Sequence, residues 1–297
     1  MTAVTATSGT EVARGESRSS RLVAALTRAP ATVLLAVVAL LWLVPTIGLL
    51  VSSFRTAADN AESGWWTALT APAQLSLQPY RDLLDDPSIV SAFVNTVLIT
   101  VPSALLVVAT ASLAAYALAW MRFPGRDVLF LIVVGLLVVP LQVALIPVAR
   151  LYDLLGLFGT IPAVVLFHVA FGLPFAIFLL RNFFVGLPHE LLEAARMDGA
   201  SEWTVFTRVV LPLGLPAIAS LLIFQFLWVW NDLLVALVFA GGDTQPLTVA
   251  IREQLRSFSA NIDVIAPAAF LQMMVPLLVF FAFQRYFVQG LLSGSQR

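Results

Sequence analysis

Lysine and cysteine are both absent from this chain of 297 residues, and only two histidines occur. Without lysine the chain has neither a phosphate-binding P-loop nor an amine that can form a Schiff base. Without cysteine it has no disulfide, no thiolate nucleophile and no cysteine-ligated metal. His168 and His189 are too far apart in sequence to form a His-Glu-x-x-His zinc pair. We therefore expect no catalytic residue, no metal site and no cofactor bound by the chain itself.

Charged side chains are also scarce. They make up 11% of the residues, against about 25% in ordinary soluble domains. Hydrophobic residues reach 60%, where about 45–50% is usual, and the mean hydropathy is +0.95. This leaves too little polar surface to cover a water-soluble particle. The composition predicts an all-α integral membrane protein that crosses the bilayer several times, and we expect no nucleic-acid partner.

A helix needs about 20 apolar residues to cross the hydrocarbon core of a bilayer. The charge-free stretches predict six transmembrane helices, at about residues 30–52, 90–118, 128–149, 160–180, 214–240 and 266–287. Residues 1–28 and 290–297 are expected to be tails, the first of them disordered because it has little to bury. A secretory signal peptide is the alternative for the N-terminus. The apolar run exceeds the roughly 7–15 residues of such a signal, which favours an uncleaved first helix.

Arginine placement gives the orientation, because basic residues are retained on the cytoplasmic side of a membrane. With the N-terminus inside, eleven arginines fall in inner segments and five in outer ones. This asymmetry predicts that both termini are cytoplasmic. It also places the loop of residues 181–212 inside the cell, and the segments 55–86 and 252–262 outside.

The 181–212 loop predicts two short helices joined at a glycine. Pro188 suits the first turn of a helix, and Gly199 suits the left-handed position that ends one. Ser201 can cap the second helix, and Pro212 is expected to bend the chain before the next span. One face of the second helix is apolar, with Trp203, Phe206 and Val210. That face packs either against the chain's own bundle or against a partner protein, and the pattern leaves both alternatives open.

The same loop resembles the EAA loop of ABC importer permeases. The matching residues are Glu193-Ala194-Ala195, Asp198-Gly199-Ala200, Phe206, Val209, Leu211-Pro212 and Pro216. Other segments are similar to the carbohydrate branch of this family: Asn95-Thr96, Ala115-Tyr116-Ala117-Leu118, Arg122-Phe123-Pro124-Gly125-Arg126 and Trp230-Asn231-Asp232. The short outer loop before Asn95 resembles the second permease of maltose-type importers. The ending, residues 284–295, is similar to the α-glucoside members.

The resemblance implies a type I ABC importer permease fold with six transmembrane helices, in the cytoplasmic membrane of a bacterium. It implies import of a sugar, an oligosaccharide or α-glucoside, by a subunit that is not itself an enzyme. The implied partners are a homologous second permease subunit, two cytoplasmic ATPase subunits and an extracellular solute-binding protein. ATP and Mg would be bound by the ATPase subunits, and the 181–212 loop would dock in a cleft on one of them.

Within the loop, the resemblance assigns an ATPase-coupling role to one set of residues. Ala194, Ala195 and Met197 are expected to form the packing surface, with Glu193 in polar contact at its edge. Asp198 belongs to the same set, and Gly199 provides the bend between the helices. Leu211 and Pro212 are expected to fix how the second helix joins the membrane span.

Asn231 and Asp232 are the candidate residues of the substrate pathway. An ionisable residue inside a span is a functional candidate by default, although structural pairing of Asp232 is the favoured alternative. His168 is interpreted as a packing residue. The aromatic run of Phe224, Phe226, Trp228 and Trp230 either stacks on a sugar or packs against lipid and helices. Residues 252–262 either reach the binding protein or form a mobile loop, and the tail from Gly290 either contacts the ATPases or frays.

Three other functions remain as alternatives. An ion-coupled secondary transporter generally needs intramembrane carboxylates and often shows a repeated half, and only Asp232 is available here. An intramembrane enzyme needs a nucleophile with a base, or a metal constellation, and the spans show neither. A permease of the same family for a non-sugar solute stays open, because the loop motif is shared across substrates.

Overall fold

The computed structural model describes residues 18–256 and 262–293, and these ranges contain helices, turns and no named strand. The α-helices are α1 Arg18–Ser53, α2 Ala57–Glu62, α3 Gln78–Asp85, α4 Pro87–Trp120, α5 Arg126–Leu136, α6 Leu141–Leu154, α7 Ile161–Val185, α8 His189–Met197, α9 Glu202–Val205, α10 Leu211–Trp230, α11 Leu234–Phe239, α12 Leu247–Arg256 and α13 Ile262–Ser293. Short 3-10 turns occupy Trp65–Leu69, Pro72–Gln74 and Gly242–Thr244, and a π-helical turn occupies Phe206–Val210.

The chain divides into two units, Met1–Leu49 and Leu50–Arg297. In the first unit, α1 is apolar and its side chains from Thr32 onward are largely exposed, as expected for a helix surrounded by lipid. Because α1 begins at Arg18, the predicted tail of residues 1–28 is helical in its last part. Residues 1–17 lie outside the described residues.

Five helices of the described residues are long and apolar enough to cross a membrane. They are Thr32–Ser53, Pro87–Trp120, Ile161–Val185, Glu202–Trp230 and Asp263–Gln284. These confirm five of the predicted apolar spans as helices, although the fifth differs in its bounds.

The predicted third span, residues 128–149, is not one helix. The chain breaks after Leu136, and α5 and α6 are bent by 100° relative to each other. Pro140 precedes α6 with an extended backbone and has no N–H to donate to the preceding turn. The two short helices count as a sixth span only if the bent pair is taken together.

The predicted fifth span, residues 214–240, is wrong at both ends. At its beginning, α9 runs into α10 as one helix from Glu202 to Trp230, so Pro212 does not bend the chain away. The N–H of Leu211 instead donates to the carbonyl of Phe206, five residues back, and this π-helical turn accommodates the proline that follows. At its end, the helix stops at Trp230, and α11 is a separate helix after residues 231–233.

The second unit is built around α4, which packs along α7 and α10. One buried cluster joins these three helices to the 181–212 loop, with Val107, Ala111, Tyr116, Leu180, Phe184, Leu192, Val205, Phe206, Val210 and Leu221 among its members. A second cluster lies towards the other end of α7, where Phe167 and Phe239 pack ring to ring with centroids 4.8 Å apart.

The 54–86 segment, which contains the external loop predicted at residues 55–86, is folded around a buried arginine. Arg55 is fully buried, and its guanidinium Nη2 donates to the Asp59 carbonyl at 2.7 Å and to Ser63 Oγ at 2.6 Å. Its Nη1 donates to the Ser63 carbonyl at 3.1 Å. Because a buried charge is costly without partners, these bonds explain why a polar segment adopts a defined structure.

Candidate functional site

The 181–212 loop has the helix–glycine–helix form that the sequence predicts. Helix α8 follows Pro188, which lies just before the helix and not in its first turn. Gly199 has a φ of +83°, the left-handed conformation that glycine adopts without a steric penalty. The hydroxyl of Ser201 then accepts a hydrogen bond from the N–H of Thr204 and caps α9. The tight turn and the cap follow directly from local sequence chemistry.

One side of the loop is anchored in the chain's own bundle. Leu192 of α8, Val205 of α9 and the π-turn residues Phe206 and Val210 are buried against α4 and α7. The predicted apolar face is therefore split, since Phe206 and Val210 point into the bundle. The ring of Trp203 remains 65% exposed, stacked at an angle on Phe206.

The other side of the loop is exposed and partly apolar. We call this side the loop tip, defined by Ala194, Met197, Gly199 and Trp203. Met197 is 87% exposed, and Ala194 and Gly199 are exposed as well. Ala195 differs from this set because it is half-buried and packs against the chain's own core. The structure thus places a largely exposed methionine and tryptophan on a loop whose other side is anchored in the bundle.

Glu193 and Asp198 lie at the edge of the loop tip, where both are exposed. The Nδ1 atom of His189 is 3.1 Å from Glu193 Oε1, one helical turn away, and both side chains are more than half exposed. Exposed pairs of this kind contribute little to stability. Glu193 therefore remains available for polar contact with another molecule.

Three polar side chains, one buried and two partly exposed, join the two helices of the loop, and the sequence did not indicate this cluster. We call it the Tyr116 cluster, defined by Tyr116, Arg196 and Glu202. Arg196 Nε donates to Glu202 Oε1 at 2.9 Å, and Nη2 donates to Oε2 at 3.1 Å. The hydroxyl of Tyr116, on α4, donates to the same Oε2. The hydrogen bonds that Arg196 donates to the Glu202 carboxylate raise the pKa of Arg196, so this guanidinium stays charged.

Leu211 and Pro212 lie where the loop passes into the membrane span. Leu211 is partly buried against the core and Pro212 is exposed in the first turn of α10. Through this continuous helix, Trp203 of the loop tip and the span are parts of one element. The structure therefore brings all eight predicted coupling residues into one loop.

The two candidate pathway residues lie at the opposite end of α10 from the loop. The separation is about 30 Å, the length of α10 at a rise of about 1.5 Å per residue. Asn231 is exposed, and its amide donates to the Leu227 carbonyl at 2.8 Å. The carboxylate of Asp232 accepts hydrogen bonds from the N–H groups of Val235 and Ala236 at the start of α11. His168 Nε2, in a fully packed ring on α7, is 3.6 Å from Asp232 Oδ2. Asp232 thus has structural partners.

The aromatic run on α10 mostly contacts neighbouring helices. Trp230 is buried, and its indole N–H donates to the Gln272 carbonyl at 2.9 Å. Trp228 lies edge-on to His168, and Phe224 is tilted against Phe175. The rings therefore have packing partners within the bundle.

The remaining predicted segments are only partly described. Helix α12 ends at Arg256, so residues 257–261 of the predicted outer loop lie outside the described residues. Helix α13 continues to Ser293, which takes in the first part of the predicted tail from Gly290, and residues 294–297 lie outside. Among the described residues, no group of three or more His, Asp or Glu side chains is placed to hold a metal ion.

Comparison with solved structures shows a shared fold. The chain superposes on a chain of a bacterial ABC transporter that imports the acidic polysaccharide alginate, with a TM-score of 0.75 and 23% sequence identity. The match covers 92% of this chain and 99% of that chain. The chain as a whole therefore shares its fold with a chain of a known transporter.

Curated relatives are similar over most of the length. The osmoprotective compounds uptake permease protein GgtD of Synechocystis is 48% identical, covering 90% of this chain and 91% of that protein. The alpha-glucoside transport system permease protein AglG of Rhizobium meliloti is also 48% identical, covering 83% of this chain and 66% of that protein. Because these relatives are permease proteins, the prediction that the chain is not an enzyme is confirmed.

Residues 88–293 match the family described as binding-protein-dependent transport system inner membrane component. This range contains the 181–212 loop, the Tyr116 cluster and five of the six predicted spans. The resemblance to importer permeases is thereby confirmed. The chain belongs to the family of binding-protein-dependent transport system inner membrane components.

Proposed function

We propose that the chain is the permease subunit of an ATP-driven importer that carries a sugar, an oligosaccharide or an α-glucoside, across the cytoplasmic membrane of a bacterium. The α-glucoside permease among its relatives supports the substrate class. The 181–212 loop is the element that couples the helices to separate ATPase subunits. The observation that supports the proposal best is the loop tip, where Met197 and Trp203 are exposed on a loop whose opposite side is anchored in the bundle by Leu192 and Phe206.

The loop tip has the properties of a docking surface. Burying a methionine or tryptophan side chain against a partner gains about 1.5–3 kcal/mol each, which is available only if a partner is present. Ala194 and Gly199 are small, so they allow another protein to approach the backbone closely. Glu193 and Asp198 are the polar rim around this surface, and Leu211 and Pro212 join it to the span.

Nucleotide chemistry is assigned to the partner subunits. The chain has no lysine and thus no P-loop, so ATP and Mg are bound on two ATPase subunits in this proposal. ATP shifts the equilibrium of the permease only through its differential affinity for the two conformations of the complex. The complete importer also contains a homologous second permease and an extracellular solute-binding protein.

The proposal fixes the orientation of the chain. The arginine asymmetry supports cytoplasmic termini and a cytoplasmic 181–212 loop. The 54–86 segment and the break at residues 231–233 then face outward. Asn231, exposed at this break, is assigned to the substrate pathway, and Asp232 is assigned to holding the break in place.

A single-cysteine experiment tests the docking and the orientation together. Because the natural chain has no cysteine, Met197→Cys introduces the only thiol. We expect a short thiol-reactive crosslinker to join this thiol to an ATPase subunit in vesicles that contain the whole importer. Asp127→Cys is the matched control, since Asp127 is exposed in another segment predicted to be cytoplasmic.

Two results would contradict the proposal. One is the absence of a crosslink from Met197→Cys in a complex that transports sugar. The other is labelling of Met197→Cys in intact cells by a membrane-impermeant thiol reagent. Leu77→Cys, on an exposed residue of the 54–86 segment, is expected to be labelled under the same conditions.

A further inference from the structure

The loop is joined covalently to two membrane helices, to α7 at its start and to α10 at its end. The second connection is continuous, since α9, the π turn and α10 form one helix from Glu202 to Trp230. Any movement of α9 is therefore passed directly to α10. Helix α4 has no such connection, although it packs against both α7 and α10 along its length. A movement of the loop can act specifically on α4 only through side-chain contacts.

The Tyr116 cluster provides one such contact, and the ring of Trp120 on α4, whose centroid is 5.5 Å from that of His189 on α8, provides another. Tyr116 is 4% exposed, and its ring packs against Phe206 with centroids 5.2 Å apart. Its hydroxyl bonds the Glu202 carboxylate, which Arg196 also holds through two hydrogen bonds. Charge-assisted, bidentate pairs are among the stronger hydrogen-bonded contacts and fix the geometry of both partners. The Glu202 carboxylate of α9 is thus bonded both to Tyr116 of α4 and to Arg196 of α8.

Capping does not explain this arrangement. Ser201 already caps α9 through its hydroxyl, so Glu202 is not needed to satisfy the N–H of Thr204. Arg196 lies on α8 and reaches across the Gly199 turn to the same carboxylate. The carboxylate therefore links three helices, which is more than local helix formation requires.

The opposite end of α4 is bonded to a different part of the chain. The side-chain amide of Asn95 donates to the carbonyls of Asp243 and Gln245 at 2.9 and 3.1 Å. The hydroxyl of Thr96 accepts from the N–H of Leu247 at 2.8 Å. From Thr96 to Tyr116 the helix is about 30 Å long, close to the thickness of the hydrocarbon core. Helix α4 thus has specific bonds at both ends of a membrane-length segment.

We propose that Tyr116 is a positioning residue of transport, which passes movement of the 181–212 loop to α4 and, through Asn95 and Thr96, to the 243–247 segment. This inference rests on the proposed function, because it requires that the loop be moved by an ATPase. The Tyr116 cluster adds a side-chain connection to α4 beside the covalent connection to α10. Together, these connections allow α4 and α10 to respond to one docking event.

Tyr116→Phe tests the relay, because it removes the hydroxyl and keeps the ring that packs on Phe206. In proteoliposomes with the complete importer, we expect the amount of sugar transported per ATP hydrolysed to fall at least threefold. The Met197→Cys crosslink to the ATPase and the thermal unfolding temperature are expected to stay unchanged. Tyr80→Phe is the matched control. Tyr80 lies in the 54–86 segment, away from the 181–212 loop in sequence, and its hydroxyl is likewise hydrogen-bonded to a side chain, that of Ser53.

Two further variants separate a relay from a merely structural contact. Glu202→Gln keeps an acceptor but loses the charge, and it is expected to lower the same ratio without adding to the effect of Tyr116→Phe. Asn95→Ala, at the opposite end of α4, is also expected to be non-additive with Tyr116→Phe. A structural role alone would change the unfolding temperature and leave the ratio of sugar to ATP unchanged.

The outcomes distinguish this inference from the proposed function. A normal transport ratio in Tyr116→Phe with the Met197→Cys crosslink intact would overturn the relay and leave the docking proposal standing. Loss of the crosslink in Tyr116→Phe alone would show that Tyr116 only holds the loop, which also overturns the relay. If Met197→Cys formed no crosslink to the ATPase in the chain that keeps Tyr116, the docking proposal itself would be overturned.

Discussion

Gly199 is the residue on which the shape of the 181–212 loop depends. Its φ of +83° is unfavourable for residues that have a Cβ atom. A Cβ placed there would have no heavy atom within 4 Å apart from its immediate neighbours. The penalty of a substitution is therefore confined to the backbone, with no steric clash in the free chain.

We predict that Gly199→Ala lowers the free energy of unfolding by about 1 kcal/mol, because alanine must adopt the left-handed conformation. Gly199→Asn is expected to lower it less, since asparagine tolerates this conformation better. Denaturant titration of the purified chain in detergent measures both. Gly135→Ala, at an equally open glycine inside α5, is the control and should leave stability equal or higher. Equal losses at Gly199 and Gly135 would contradict the explanation.

The sequence predicts a residue's role where that role depends on its near neighbours in the chain. Gly199 and Ser201 act on neighbours within three residues, so their roles are readable from spacing. The Tyr116 cluster is not readable, because Tyr116 and Glu202 are 86 residues apart and Arg196 and Glu202 are six apart across a turn. Six residues is not a helical spacing, and only the packing of α4 against the loop brings these groups together.

At the scale of elements, the break between α10 and α11 is held by Asp232. Its carboxylate accepts N–H groups that the first turn of α11 would otherwise leave unpaired. The hydroxyl of Thr248 donates to the Asp232 carbonyl at 2.7 Å, which ties the break to α12. The structural role of this residue is therefore explained without a ligand.

We predict that Asp232→Asn leaves uptake close to the parent and costs less stability than Asp232→Ala, because the amide keeps one of the two oxygens that accept the N–H groups of α11. Asp232→Ala is expected to lower the free energy of unfolding by about 1 kcal/mol, since it leaves the N–H groups of α11 without that acceptor. Thermal unfolding and sugar uptake by the complete importer measure the two effects. Loss of uptake in Asp232→Asn at normal stability would instead indicate contact with the substrate.

Prolines show why the spans were predicted better than their breaks. Pro102, Pro174 and Pro216 lie inside continuous helices, whereas Pro140 stands where α5 and α6 are bent by 100°. Neighbouring helices and side chains re-satisfy the backbone groups that a proline frees in a membrane. Whether a proline breaks a helix is thus decided by packing, which hydropathy and spacing do not contain.

At the scale of the whole molecule, the source of energy lies outside this chain. The proposed importer depends on ATPase subunits. Asp232, just beyond the end of the span Glu202–Trp230, is already engaged with backbone N–H groups and lies near His168. Ion-coupled transporters use intramembrane ionisable residues as coupling sites. The engaged carboxylate argues against that mechanism.

We predict that sugar uptake stops when ATP is depleted and continues when a protonophore or sodium ionophore collapses the ion gradients at constant ATP. Vesicles loaded with ATP or with a non-hydrolysable analogue provide the measurement, with radiolabelled α-glucoside as substrate. Empty vesicles from cells that lack the chain are the control. Uptake that survives without ATP but collapses with the gradient would identify a secondary transporter.

The family was predictable from the sequence and the transported compound was not. Loop residues such as Glu193, Gly199 and Pro212 carry the family resemblance because their spacing is fixed by one local structure. The substrate depends on side chains that several helices, and in this proposal a second permease, bring to one pathway. Asn231 is exposed at the end of α10, but one amide does not distinguish one sugar from another.

The unbroken helix from Glu202 to Trp230 has 29 residues, so it is about 43 Å long. In the proposed function this helix moves as one rigid piece, and its inner end carries Trp203 of the loop tip. Pivoting it by about 10° would displace its far end by about 7 Å, roughly the width of a sugar ring with its hydroxyl groups, for a helix of this length. In the proposed importer, a modest closure of the docked ATPase subunits would therefore move the outer end of this helix far enough to open or shut a passage for one monosaccharide unit.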